Sequence, residues 1–163
     1  MNITALSEKY HVRRLDTDDL NDIYRLSCKN PMFYQYHPPF VTKESILEDM
    51  RALPLEKSMD DKYYVGFFEK RELVAIMDLI FDYPKKDTAF IGLFMMNAQY
   101  QGKGIGSQIM DEVIACLTEN EYKEIRLGVD KGNPQSYAFW TKNGFVPVEE
   151  REYVLMRRTL RDV

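Results

Sequence analysis

Apolar positions along the chain change their spacing several times, and each change marks an element. Residues 10–15 alternate as a first strand, and Asp16-Thr17-Asp18-Asp19 then supplies N-cap chemistry. Leu20, Ile23, Tyr24 and Leu26 follow at helical spacing, and Asn30-Pro31 stops that helix. Residues 32–41 (MFYQYHPPFV) are aromatic, proline-bearing and without a period, so they read as an irregular connection. A second helix is capped by Thr42, with Glu44 and Ser45 in its first turn. Its buried face is Ile46, Leu47, Met50 and Leu53, and Pro54 lies just beyond.

Strands come next. Lys62–Glu69 and Glu72–Phe81 are joined by the polar pair Lys70-Arg71, which predicts a hairpin. Residues 82–87 form a turn, and Thr88–Met96 (TAFIGLFMM) is almost wholly apolar, as in the middle of a sheet. A glycine loop then opens onto a helix with an apolar face of Ile105, Ile109, Met110, Val113, Ile114 and Leu117. Residues 124–129 read as a strand, 133–142 as a short helix ended by Asn143-Gly144, and 145–155 as one or two last strands. The order β-α-α-β-β-β-α-β-α-β predicts an α/β layered fold. One strand–helix–strand crossover sits inside an otherwise antiparallel sheet.

A length of 163 residues allows one domain, 1–163, and its 45% apolar content is enough to fill a core. No apolar run nears the roughly 20 residues of a membrane span. The first residues, MNITALSEKYHVRRL, lack a signal peptide's basic start and long apolar stretch, so a cytoplasmic location is expected. A net charge of -4 without a dense basic run argues against nucleic acid and membrane partners. The cluster Arg157, Arg158, Arg161 reads as a solvated tail. Cys28 and Cys116 match no metal or redox spacing, and His11 and His37 are too few to complete a zinc site. No metal is expected.

The chemistry concentrates at Tyr100-Gln101-Gly102-Lys103-Gly104-Ile105-Gly106-Ser107, between a buried strand and an amphipathic helix. Glycines there let a ligand approach the backbone, and free N–H groups at the helix start favour an anion. The Walker pattern fails because no Gly-Lys-Ser or Gly-Lys-Thr follows. A dinucleotide fingerprint matches at Gly102 and Gly104 but meets Ser107 at its third position, and the loop comes late in the chain.

What the loop resembles is the Gln/Arg-x-x-Gly-x-Gly/Ala motif of the GNAT (Gcn5-related N-acetyltransferase) superfamily, with Gln101, Gly104 and Gly106 at its defined positions. The family's later segment, an Asn-led helix ending in Gly-Phe, is matched by residues 133–145. The resemblance runs from about Tyr63 to Phe145 and implies a GNAT-like mixed, mostly antiparallel sheet flanked by helices. It implies acetyl-CoA as co-substrate, with its pyrophosphate on the amides of Gln101, Gly102, Lys103, Gly104, Ile105, Gly106 and Ser107. The pantetheine arm would lie along Phe94, Met95 and Met96, like an added strand. Asn133, Ser136, Tyr137 and Trp140 would form the other wall, and Lys103 and Lys142 would meet the remaining phosphate charge.

Family chemistry is direct attack of an amine on the thioester. It needs a neutral amine, an oxyanion donor and a proton for the leaving thiolate. The resemblance gives the donor role to the backbone N–H of Met96 or Met95. Where many members carry a Tyr acid this chain has Trp140, so Tyr137, one helical turn earlier, is the candidate acid. Where many carry a Glu base it has Phe90, so the candidate carboxylate is Asp78, alone inside an apolar strand. Two readings of Asp78 stand: a base or amine-binding group at the cleft, or a structural acid. Tyr34, Tyr36 and His37 would overhang the cleft, whereas Phe33 and Phe40 read as packing residues. An aromatic mouth above Asp78 suits a cationic acceptor, either a small-molecule amine or a peptide N-terminus. The competing function is a CoA-binding regulatory module with weak catalysis. Dimers occur in the family, so a homodimer is a further partner the resemblance allows.

Overall fold

In the computed structural model, which describes residues 1–160, the predicted strands pair into one seven-stranded sheet. The strands are β1 (His11–Arg14), β2 (Lys62–Glu69), β3 (Glu72–Phe81), β4 (Thr88–Met96), β5 (Glu124–Asp130), β6 (Val146–Glu150) and β7 (Tyr153–Thr159), in the order β1-β2-β3-β4-β5-β7-β6. The helices are α1 (Leu20–Cys28), α2 (Pro31–Tyr36), α3 (Lys43–Arg51), α4 (Ile105–Glu119) and α5 (Pro134–Lys142). Every strand pair is antiparallel except β4 with β5, which are joined through α4. The expected mixed α/β sheet with one crossover is what forms.

Helices cover both faces. Val65, Phe67, Ala75, Met77 and Leu79 share one buried core with α4, and Tyr64, Phe68, Leu73 and Ile76 share the other with α1 and α3. Successive strand residues point to opposite faces, so a strand buried on both reads as an unbroken apolar run. From α4, Ile109, Met110, Val113 and Leu117 are fully buried, each stabilising the fold by roughly 1.5–3 kcal/mol.

Two parts of the chain differ from the sequence reading. Residues 31–36 are helical, because Pro31 occupies the first helical turn, where a missing N–H is harmless. Pro31 therefore starts α2 as well as ending α1. The cluster at the end of the chain is also not all tail. Arg157 and Arg158 lie in β7, and Arg158 Nη1 donates to the carbonyl of Asn143 at 2.6 Å, closing the last turn of α5. Arg161 lies outside the described residues.

The wedge that positions the site comes from β4 and β5. They pair from Thr88↔Glu124 to Ile91↔Leu127, and no pair continues beyond. On the other side of β4, Asp78 opposes Leu93 while its neighbour Leu79 opposes Ile91. Gly92 is thus the extra residue of a bulge, which bends β4 away from β5.

Candidate active site

Past Ile91 and Leu127 the two strands diverge into a cleft of about 370 Å³, bounded by Phe94, Met96, Gln101, Gly104, Ser136 and Trp140. A narrower recess of about 60 Å³ continues to the root of the wedge, against Gly92, Gly128, Asp130 and the ring of Phe33.

The outer end is built from the glycine loop. Gly102 and Gly104 hold φ of 74° and 77°, a left-handed conformation that glycine enters without strain. A Cβ at either would meet nothing within 4 Å, so the loop surface is open there. Among the described residues, no backbone N–H of 102–107 donates to a carbonyl outside the helices and strands, and α4 begins at Ile105. The first turn of α4 thus presents unpaired donors and the positive end of its dipole at the cleft mouth. Gly106 has a different reason: its Cβ would lie 3.1 Å from the Phe139 ring, so it lets α4 pack against α5. Lys142 borders the cleft and Lys103 is exposed beside it.

The strand wall is β4. Met96 O accepts from Asn30 Nδ2 and from Gln101 Nε2, both at 3.0 Å. A strand residue's N–H and C=O point to the same side, so the N–H of Met96, and two residues back that of Phe94, face the cleft. Met95 pairs with Ile76 and turns its backbone toward β3. The helix wall is α5, which Asn133 caps by accepting from the N–H groups of Gln135 and Ser136. Trp140 is buried against Phe94, Phe139 and Phe145 at centroid separations of 5.9, 4.9 and 5.1 Å. Such aromatic pairs each add about 0.5–1.5 kcal/mol to the packing of this wall. Ser107 Oγ accepts from Asn143 Nδ2 at 3.2 Å, tying the start of α4 to the end of α5.

Asp78 is 8% exposed and lies beside the bulge: a Cβ on Gly92 would stand 3.0 Å from its Oδ2. The same oxygen accepts from Lys62 Nζ at 2.8 Å, and Lys62 also donates to Ala52 O. Asp78 Oδ1 is buried without a hydrogen-bond partner. Burial pushes this carboxyl up from its ordinary range, and the Lys62 ammonium opposes the shift. Tyr137 is exposed and borders neither the cleft nor the recess; it lines a separate cavity with Asn133 and Glu149. Tyr34 packs onto the α1–α3 core, and burial pushes its phenol up. The Tyr36 ring lies against Gly132, just past β5.

Several residues here carried no distinctive signal in sequence. Asn30 read as a helix stop and Phe33 as packing, and Asp130 lies one residue past the strand read at 124–129. Gly92 and Gly128 had the one available cue, since a lone glycine inside a strand marks a bulge or a close approach.

The fold is shared with known acetyltransferases. An acetyltransferase from Thermus thermophilus superposes with a TM-score of 0.79 at 21% identity, over 93% of this chain and 97% of that one. The PaiA N-acetyltransferase of Thermoplasma acidophilum, solved in complex with coenzyme A, matches with a TM-score of 0.69 at 19% identity, over 92% and 98%. The ribosomal-protein-S18-alanine N-acetyltransferase of Escherichia coli matches with a TM-score of 0.66 at 15% identity, over 94% and 96%. The model of the acetyltransferase (GNAT) family matches residues 20–145, which spans most of the sequence and both motif segments, and the chain belongs to that family.

Proposed function

We propose that this chain is an acetyl-CoA-dependent N-acetyltransferase that passes the acetyl group to a primary amine by direct attack. The observation that carries the reading is the open β4–β5 wedge with unpaired amides at its mouth. The donor set fits the co-substrate: backbone N–H groups of residues 102–107 and Lys142 for phosphate charge, and the cleft-facing edge of Phe94 and Met96 for the amide-bearing arm. Acetyl-CoA would supply the acyl group as a thioester. The Met96 or Phe94 N–H would donate to the developing oxyanion. Asp78, beside Gly92 with one oxygen unpartnered, is proposed to face the acceptor nitrogen. Tyr36 is proposed to flank the acceptor. The reading takes residues 1–163 as one domain with a small-molecule amine or a peptide N-terminus as acceptor. Among the described residues, no helix is long and apolar enough to cross a membrane.

A second reading, a CoA-binding module of weak activity, is favoured by two observations: Tyr137 stands off the cleft and Lys62 already engages Asp78. Two measurements decide. Saturating acetyl-CoA at ~100 times its dissociation constant should stabilise the fold by about 2.7 kcal/mol, several degrees in Tm. Thiol release with a primary-amine panel should then exceed the rate without amine. Stabilisation without amine-dependent release would favour the binding module, and no stabilisation would overturn both readings.

A further inference from the structure

The recess at the root of the wedge lies beside one ionisable pair that neither motif contains. His37 follows α2, and its Nδ1 lies 3.0 Å from Asp130 Oδ1 at the end of β5. Asp130 is part of the recess wall. The His37 ring also leans on Phe33, another wall residue, at a centroid distance of 5.3 Å. With Tyr36 against Gly132, the end of α2 is clasped to the end of β5 across the gap where β4 and β5 have parted. A carboxylate accepts, so Nδ1 donates to it and Nε2 is left as the ring's acceptor. Nε2 has no hydrogen-bond partner among the described residues, and the side chain is 60% exposed.

A histidine held at one nitrogen by a carboxylate, with the other nitrogen free beside a cleft, is the arrangement of an oriented proton acceptor. The other candidate groups are engaged elsewhere: Asp78 with Lys62, and Tyr137 in the separate cavity.

We propose that His37 takes the proton of the incoming ammonium at Nε2, with Asp130 as its positioning residue. The proposal rests on the transferase reading above. His37 Nε2 accepts one proton from R–NH3+, and the freed lone pair forms the nitrogen–carbon bond at the acetyl carbonyl. The carbon–sulfur bond breaks with its electron pair on sulfur. The second nitrogen proton neutralises that thiolate, and His37 returns its own proton to solvent. Facing His37 are Asp130 from β5 and Asp49 from α3, whose carboxyl is raised by burial and drawn back by His37 and Lys62. Lys131, next to Asp130, is paired with Glu150.

The test is a pH profile of thiol release from acetyl-CoA with putrescine, a lysine-containing peptide and a peptide with a free N-terminus. His37→Gln and Asp130→Asn are compared with wild type, and acetyl-CoA affinity is followed by thermal shift in each. The expected result is a wild-type kcat with a limb that ascends as pH rises. His37→Gln should lose that limb and about 10²-fold in rate, Asp130→Asn should fall less, and acetyl-CoA affinity should hold in both. Wild-type turnover with an unaltered limb and rate in His37→Gln would overturn the proposal alone. Acetyl-CoA binding without amine turnover in wild type would overturn the transferase reading and this proposal with it.

Discussion

Gln101 Nε2 donates to Asn30 Oδ1 at 2.8 Å, and the two side-chain amides converge on the carbonyl of Met96. The glycine loop is therefore joined to the end of α1 and to β4 at one point. That carbonyl would otherwise open into the cleft without a partner, which is costly in a half-buried setting. Asn30→Ala should weaken CoA binding without changing a single group that touches phosphate. A loss of about 1 kcal/mol, roughly fivefold in Kd, is expected from one hydrogen bond. Calorimetric titration of Asn30→Ala, Gln101→Ala and the double variant should show strong non-additivity, because the residues act as a unit.

Gly104 and Gly106 should respond differently to the same change. Gly104→Val forces a branched residue to φ of 77°, at about 1–2 kcal/mol, but its Cβ meets no protein atom within 4 Å. Its larger effect should be on CoA affinity, with a fall beyond about tenfold because the open surface is where phosphate approaches. Gly106→Val has an ordinary φ but drives into Phe139, so its damage should appear first in Tm. Equal CoA affinity in wild type and a folded Gly104→Val variant would remove the loop from the binding site.

The Lys62–Asp78 pair predicts a pH-dependent stability defect. Lys62 is 1% exposed, and Lys62→Met leaves Asp78 buried without its cation, a loss of about 3–5 kcal/mol at neutral pH. Asp78 is already raised by burial, and losing Lys62 raises it further above its unfolded value. The unfolded chain then ionises first, so stability falls as pH rises through that interval. Denaturant unfolding should show the Lys62→Met deficit growing from about pH 4 to 7. Lys62→Met with Asp78→Leu should recover most of it.

Asp19 has the opposite sign. Hydrogen bonds from Arg13, at 2.8 and 3.0 Å, hold its carboxyl below the usual range. A depressed acid stabilises the fold above its unfolded pKa and stops doing so as pH falls through its folded one. Arg13 is 43% exposed, so solvent screens the pair, and Asp19→Asn should cost about 1 kcal/mol near neutrality. The difference from wild type should shrink as pH falls below the ordinary aspartate range of about 4, read by chemical unfolding.

The elements were legible because their signals are local. The β2–β3 hairpin, the strand Thr88–Met96 and the capped helix after Thr42 each carry a period or a cap within a few residues. Residues 31–36 escaped because aromatics and a proline hide a short helix whose only cue is the proline itself. Arg158 escaped because its partner, the carbonyl of Asn143, belongs to another element.

Sequence alone determined the mixed sheet, its crossover and the glycine loop, since the periods and the motif are local: Gly104 is needed for a left-handed turn and Gly106 for the close approach of Phe139. The reach of each candidate side chain was decided by the tertiary structure. Tyr137 shares a helical face with Trp140 by spacing, yet one lines an outer cavity while the other is buried in the cleft wall. Asp78 stood alone in its strand until β2 brought Lys62 within 2.8 Å, 16 positions away in the chain. His37 and Asp130, 93 positions apart, meet only because α2 spans the gap where β4 leaves β5. Such pairings depend on strand register and on where a helix crosses the sheet, and no spacing along the chain records either.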